Sequence, residues 1–358
     1  MKINKTPLPF LALSLLAFIF ALWAGLLRLG WRLPTPATSL AMLHGPLMIS
    51  GFLGALISLE RVVALKIRWM YGAPLLAGIG WLVTLLTPNQ PFGPLLLTLA
   101  SLGGVLILGT IVKREFALHT VTMFLGALAW FLGNVFWITG SAIFQVVYWW
   151  QAFLILTIFG ERLELSRVLK PTRMGHYLFA GIIVVFIAGV IMSLGNIQFA
   201  ARVSGVGMIA LALWSFSNDI AWRNLRHRLP LTRYIAWCLA LGFVWLGVGG
   251  VINLVYGAQA AGPRYDAALH VVFVGFVISM IFGHAPIIFP AVLGVPISFR
   301  PAFYIHLVLL HLSLIVRVAG DLANANAVRM WGGLLNEVAI LLFLAMTIYS
   351  VGTSLKTG

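Results

Sequence analysis

Residues 38–64 read TSLAMLHGPLMISGFLGALISLERVVA. No acid, lysine or arginine appears before Glu60. A helix needs roughly 20 apolar residues to cross the hydrocarbon core of a bilayer, and this run is long enough. A buried strand would be about 4–8 residues long and bounded by turn signals. The stretch is therefore a membrane span, and it carries one imidazole, His44, near its start.

Comparable runs occur on either side. Before and after this one they fall at 8–29, 70–87, 91–112, 118–140 and 142–160, then 176–194, 198–220, 231–256, 265–290, 301–319 and 328–352. The pattern predicts an all-α, polytopic integral membrane bundle of about 12 transmembrane helices, one transmembrane domain over residues 1–358. The chain is 61% hydrophobic and 9% charged, with a mean hydropathy of +1.04. Soluble domains run near 25% charged, so a soluble globular fold is excluded, as are disorder and a secreted disulfide scaffold. The single cysteine, Cys238, excludes an internal disulfide and any four-thiolate zinc or iron–sulfur site.

The formal charge of +15 is explained by placement. With the N-terminus inside, inner segments hold Lys2, Lys5, Arg61, Lys66, Arg68, Lys113, Arg114, Arg162, Arg167, Lys170, Arg173, Arg223, Arg226, Arg228, Arg233, Arg300 and Lys356. Outer segments hold only Arg28, Arg32, Arg202, Arg264, Arg317 and Arg329. This 17-to-6 split is what the positive-inside rule asks for. It predicts twelve spans with both termini cytoplasmic. The basic excess then reflects topology and attraction to anionic lipid, not a nucleic-acid surface. Lys2 and Lys5 precede an apolar run longer than a signal peptide's, so the first span reads as a retained helix.

Ionisable groups inside a bilayer are costly, and each is a functional candidate until explained. Seven of the eight acids fall at span ends or in loops, where solvation accounts for them; Glu337 alone lies well inside a span. Asn134 and Asn253 read as interhelical hydrogen bonds. Histidine is more informative, since His44, His270, His284, His306 and His311 all fall within spans. A proton path would pair them with carboxylates, whereas neutral imidazole suffices to ligate haem or copper.

Depth selects a pair. The second and tenth spans both enter from outside, and His44 and His270 each lie about five residues in. At 1.5 Å per residue both sit some 6–9 Å below the outer boundary, as bis-imidazole ligation of one haem b requires. Asp266, one turn before His270, is placed to accept its free ring N–H, and Arg317 lies at the level of haem propionates. His284 follows His270 by fourteen residues, about 40° short of four turns and some 21 Å deeper on a similar face. An inner site, for copper or a second haem, would recruit His306, His311 or His119. Pro286 and Pro290 are expected to break the helix after His284 and free carbonyls there.

The segment Leu43-His44-Gly45-Pro46-Leu47-Met48-Ile49 resembles the His-Gly-x-x-Met segment in the second helix of haem–copper oxidase catalytic subunits. In that family the histidine ligates a low-spin haem near the outer face, with its partner on the tenth of twelve helices. The carboxy-terminal third is similar to the NnrS family, a twelve-span group carrying haem and copper and linked to nitric oxide. His270, Val274-Gly275-Phe276, Met280 to His284, Leu314 to Val318 and Trp331 carry that likeness. The resemblance implies electron transfer or nitric-oxide handling in a bacterial cytoplasmic (inner) membrane, a quinol or cytochrome as electron donor, and a small gaseous ligand. Two departures stand out. The sixth and seventh spans hold no histidine beyond His176, and Val272 stands where the oxidases carry a second tenth-helix histidine, so the oxygen-reducing copper centre is not visible. A twelve-span transporter without a redox cofactor, or a non-catalytic subunit of a respiratory complex, remains open.

Overall fold

The computed structural model describes residues 4–166, 172–295 and 297–357. Among them are twelve helices long and apolar enough to cross a membrane. These are α1 (Leu8–Leu29), α2 (Leu40–Leu65), α3 (Arg68–Leu86), α4 (Phe92–Arg114), α5 (Leu118–Ile138) and α6 (Ile143–Leu165). The rest are α7 (Arg173–Met192), α8 (Ile197–Asn218), α9 (Pro230–Tyr256), α10 (Pro263–Leu293), α11 (Phe303–Leu322) and α12 (Asn326–Thr353). The protein is an all-α, multi-pass membrane protein embedded in a lipid bilayer. Outward-facing Leu16, Val184, Leu213, Val255 and Ile348 are exposed, as side chains solvated by lipid tails are.

The chain divides into two compact units, Lys2–Phe153 with Ala291–Gly294, and Leu154–Pro290 with Val295 onward. The first unit is organised around a buried amide. Asn134 donates to the Leu97 carbonyl at 3.1 Å and accepts from Ser50 and from the Trp150 indole at 3.2 and 3.0 Å. Trp130 donates to the Ser50 hydroxyl at 2.9 Å. Both amide atoms of Asn134 are thus satisfied, which fixes α2, α4, α5 and α6 in one register. The second unit has an aromatic centre, in which Phe159 meets Phe243 and Phe276 with ring centroids 5.7 and 5.9 Å apart.

Two features depart from the expectations above. α2 and α10 are not regular α-helices: Leu47–Gly54 and Val271–Ile278 are π-helical. In each, a glycine admits a neighbouring indole, since a Cβ on Gly54 would run into Trp130 and one on Gly275 into Trp245. The expected break after His284 is also absent, because the helix Ser279–Leu293 runs through Pro286 and Pro290. Each proline removes one backbone N–H, but a broken helix would expose several polar groups where no water can satisfy them.

The charge split makes a topological prediction. Reporter fusions at Pro91 and Gly195 should be external and those at Lys170 and Arg226 internal, and an odd number of crossings would overturn the depth argument. Of the residues in that split, Lys2, Arg167 and Lys170 lie outside the described residues.

Candidate functional site

His44 sits at the start of α2, just before its π-helical segment. Its Nδ1–H donates to the Ala21 carbonyl of α1 at 2.7 Å. In a neutral imidazole the lone pair then resides on Nε2, and the ring plane is set by the bond to α1.

His270 repeats the arrangement in the other unit. Its Nδ1–H donates to the Asp266 carbonyl at 2.8 Å, with the Asp266 carboxylate 3.2 Å away. The ring again keeps its lone pair on Nε2, and its orientation is set by a residue one turn earlier, the i−4 position that the sequence places on the same face. The carboxylate is itself fixed by Arg317, which binds it bidentately at 2.8 and 2.9 Å. The guanidinium expected to meet haem propionates is therefore committed to Asp266. Asp321 is buried beside Asp266, and Arg329 Nε lies 3.9 Å from it. Asp321 is thus a buried member of a charged cluster, not the solvated span end expected of it.

His284 shows the same ring chemistry a third time. Its Nδ1–H donates to the Met280 carbonyl at 2.7 Å, and its buried Nε2 has no hydrogen-bond partner. The charged groups acting on it are Glu161, Arg162 and Asp219. Arg162 and Asp219 form a bidentate pair at 2.8 and 2.7 Å, both almost fully buried. Asp219 further accepts the Ala221 N–H at 2.8 Å. Nothing in the sequence joined these two residues, which are 57 positions apart and each sit where a span meets a loop.

The expected inner group does not assemble. His306 faces away from His284, packing its ring against Phe282 with centroids 4.8 Å apart. Phe282 and His284 are two residues apart, about 200° around one helix, so their side chains leave it in opposite directions. His306 Nε2 bonds the Tyr234 hydroxyl at 2.9 Å. His311 uses both nitrogens, accepting the Trp245 indole N–H at 2.9 Å and donating to Ser279 at 3.3 Å. His119 lies in the other unit, 3.8 Å from Glu115. Among the described residues no group of three or more His, Cys, Asp or Glu side chains could hold a metal ion.

The geometry defines a multi-pass membrane protein whose intramembrane histidines are individually oriented by second partners. The chain belongs to the family described as domain of unknown function DUF8744, whose model matches residues 7–352. No curated protein matches it.

Proposed function

We propose that the protein binds haem b in the bacterial cytoplasmic membrane, with His44 and His270 as ligand histidines, and acts in electron transfer or nitric-oxide handling. The observation that carries this reading is local and occurs twice. Each histidine has its Nδ1–H tied to a carbonyl, and each is followed within three residues by an eight-residue π-helical segment. π-Helix accounts for well under 1% of residues in proteins and concentrates at functional sites. Pinning Nδ1 raises the basicity of Nε2 and sets the ring plane, which is the support a ligating histidine normally has.

The residues present fit a haem better than a bare copper ion. A haem asks one imidazole of each helix, while a copper ion would need several donors within one cluster. Bound haem would supply a one-electron couple. The chain's contribution is to orient the two imidazoles and to hold the Asp266 carboxylate, through Arg317, against His270. Two imidazole ligands would leave no open position, favouring electron transfer over gas binding at that centre. A cofactor-free transporter is the second reading, favoured by the charged cluster of Asp266, Arg317, Asp321 and Arg329, of which Arg317 and Asp321 are buried, since intramembrane charges also mark ion pathways. Extraction of purified protein as pyridine haemochrome separates the two. The haem reading expects protohaem in whole-number ratio to chain, and the transporter reading expects none.

A further inference from the structure

Of the five intramembrane histidines, His284, His306 and His311 are absorbed by neither reading, and the last two share a feature. His306 and His311 are each bonded to an oxidisable side chain of α9. The Tyr234 hydroxyl lies 2.9 Å from His306 Nε2, with Tyr234 0% and His306 1% exposed. The Trp245 indole N–H donates to His311 Nδ1 at 2.9 Å. The protonation of His311 follows from its partners. Trp245 can only donate, so Nδ1 carries the lone pair, and Nε2–H donates to Ser279 Oγ, which in turn donates to the Cys238 carbonyl at 2.7 Å. For His306, a phenol O–H is a stronger donor than a neutral imidazole N–H, so Tyr234 donates to Nε2.

Two observations set these bonds apart from ordinary satisfaction of buried donors. Five other indoles give their N–H to groups that are not bases. Trp81 and Trp214 reach the carbonyls of Leu13 and Gly175, Trp130 and Trp222 reach serine hydroxyls, and Trp150 reaches an amide oxygen. Of these six indoles, Trp245 alone has an imidazole as its acceptor. The second observation is the surroundings of His306. Phe282, Phe343, Phe303 and Tyr234 stand around its ring with centroids 4.8, 5.3, 5.6 and 6.1 Å away. Aromatic rings this close can stabilise a cation among them, although the resting imidazole there is hydrogen-bonded to a neutral phenol.

We propose that Tyr234–His306 and Trp245–His311 are two sites of proton-coupled one-electron oxidation inside the membrane. At the first, the Tyr234 O–H bond breaks, its proton forms a new N–H bond at His306 Nε2, and the electron passes to a one-electron oxidant such as a metal centre. The products are a neutral tyrosyl radical and an imidazolium held among those rings, and the oxidant is reduced by one electron. At the second, the Trp245 Nε1–H proton passes to His311 Nδ1 in the same way. A phenol or indole oxidised inside the membrane without a base at hand would leave a charged radical in lipid, so the bonded imidazole is what makes the step feasible. Positions 234 and 245 are eleven residues apart, about 20° past three full turns and some 16 Å along α9. The two stations therefore lie on one face of one helix. This activity stands on bonds within the second unit and does not depend on the haem reading.

The test uses the full-length protein in detergent, photo-oxidised with tris(bipyridine)ruthenium and persulfate and freeze-trapped for electron paramagnetic resonance. Tyrosyl radicals at exposed residues such as Tyr177 and Tyr349 decay quickly by coupling, whereas one at Tyr234 should be long-lived. That long-lived signal should vanish in Tyr234→Phe. In His306→Gln it should form about 100-fold more slowly, the low end of what a positioned base supplies. Trp245→Phe should remove a tryptophanyl component and leave the tyrosyl one. Placing 3,5-difluorotyrosine at position 234 avoids truncation and should add fluorine hyperfine splitting to the long-lived signal. Absence of fluorine splitting, an unchanged signal in Tyr234→Phe, or an unchanged rate in His306→Gln would each overturn the proposal.

Discussion

With haem b held as proposed, His270→Ala should abolish its bis-imidazole spectrum while leaving a folded twelve-span protein. The fold survives because Arg317 still holds Asp266 through two short bonds, so no charge is left unpaired when the imidazole is removed. His44→Ala, at the other proposed ligand, should have the same spectral effect, and it removes the bond to the Ala21 carbonyl. A graded variant sharpens the test. Asp266→Asn keeps the shape and the backbone carbonyl but takes away the charge beside His270, and loss of such an outer partner typically weakens the held group about 10–100-fold. The ordering expected in haem retention is wild type, then Asp266→Asn, then either alanine variant. If both alanine variants keep a wild-type spectrum, the ligands are other residues.

The second large effect is on stability. Arg162 and Asp219 are 3% and 2% exposed and bind each other through two short bonds. Removing one partner leaves the other as a buried, uncompensated charge, at a cost of about 3–5 kcal/mol. Asp219→Ala should fall in that range, and it also deprives the Ala221 N–H of its acceptor. Replacing both partners by apolar side chains of similar volume, Arg162→Met with Asp219→Leu, should be far milder, because desolvation of both charges is then avoided. Thermal unfolding of the three variants in one detergent measures this. Equal losses for the single and double variants would mean that the pair is solvated and carries little weight.

What could be read from the sequence follows from the range of each interaction. The twelve spans were legible because a lipid-facing helix must be apolar along its whole length, and no other constraint produces that pattern. The proximity of Asp266 to His270 was legible too, being four residues apart on one helix. Arg317 could be placed at the right depth but not assigned its partner, because 51 residues and a change of helix separate it from Asp266. The Arg162–Asp219 pair was misread for a related reason: a charged residue at a span end looks the same in sequence whether it faces water or a buried partner. The π-helical segments had no signature, since their change is in backbone hydrogen-bond register and not in composition. Pro286 and Pro290 were over-read as breaks, because the local cost of proline was weighed without the larger cost of exposed backbone in lipid. His284 and His306 were expected to meet because both were placed near the inner ends of their spans. Equal depth says nothing about which way a ring points, and here His284 leaves one side of α10 while His306, on α11, packs against Phe282 on the other.

A reduced-minus-oxidised absorption spectrum of the purified, full-length protein tests the central claim most directly. Haem b held by two imidazoles should give a sharp α band and an intense Soret difference, both lost together in His44→Ala and in His270→Ala. A folded preparation, purified from haem-replete cells, that shows no haem difference band would contradict the account.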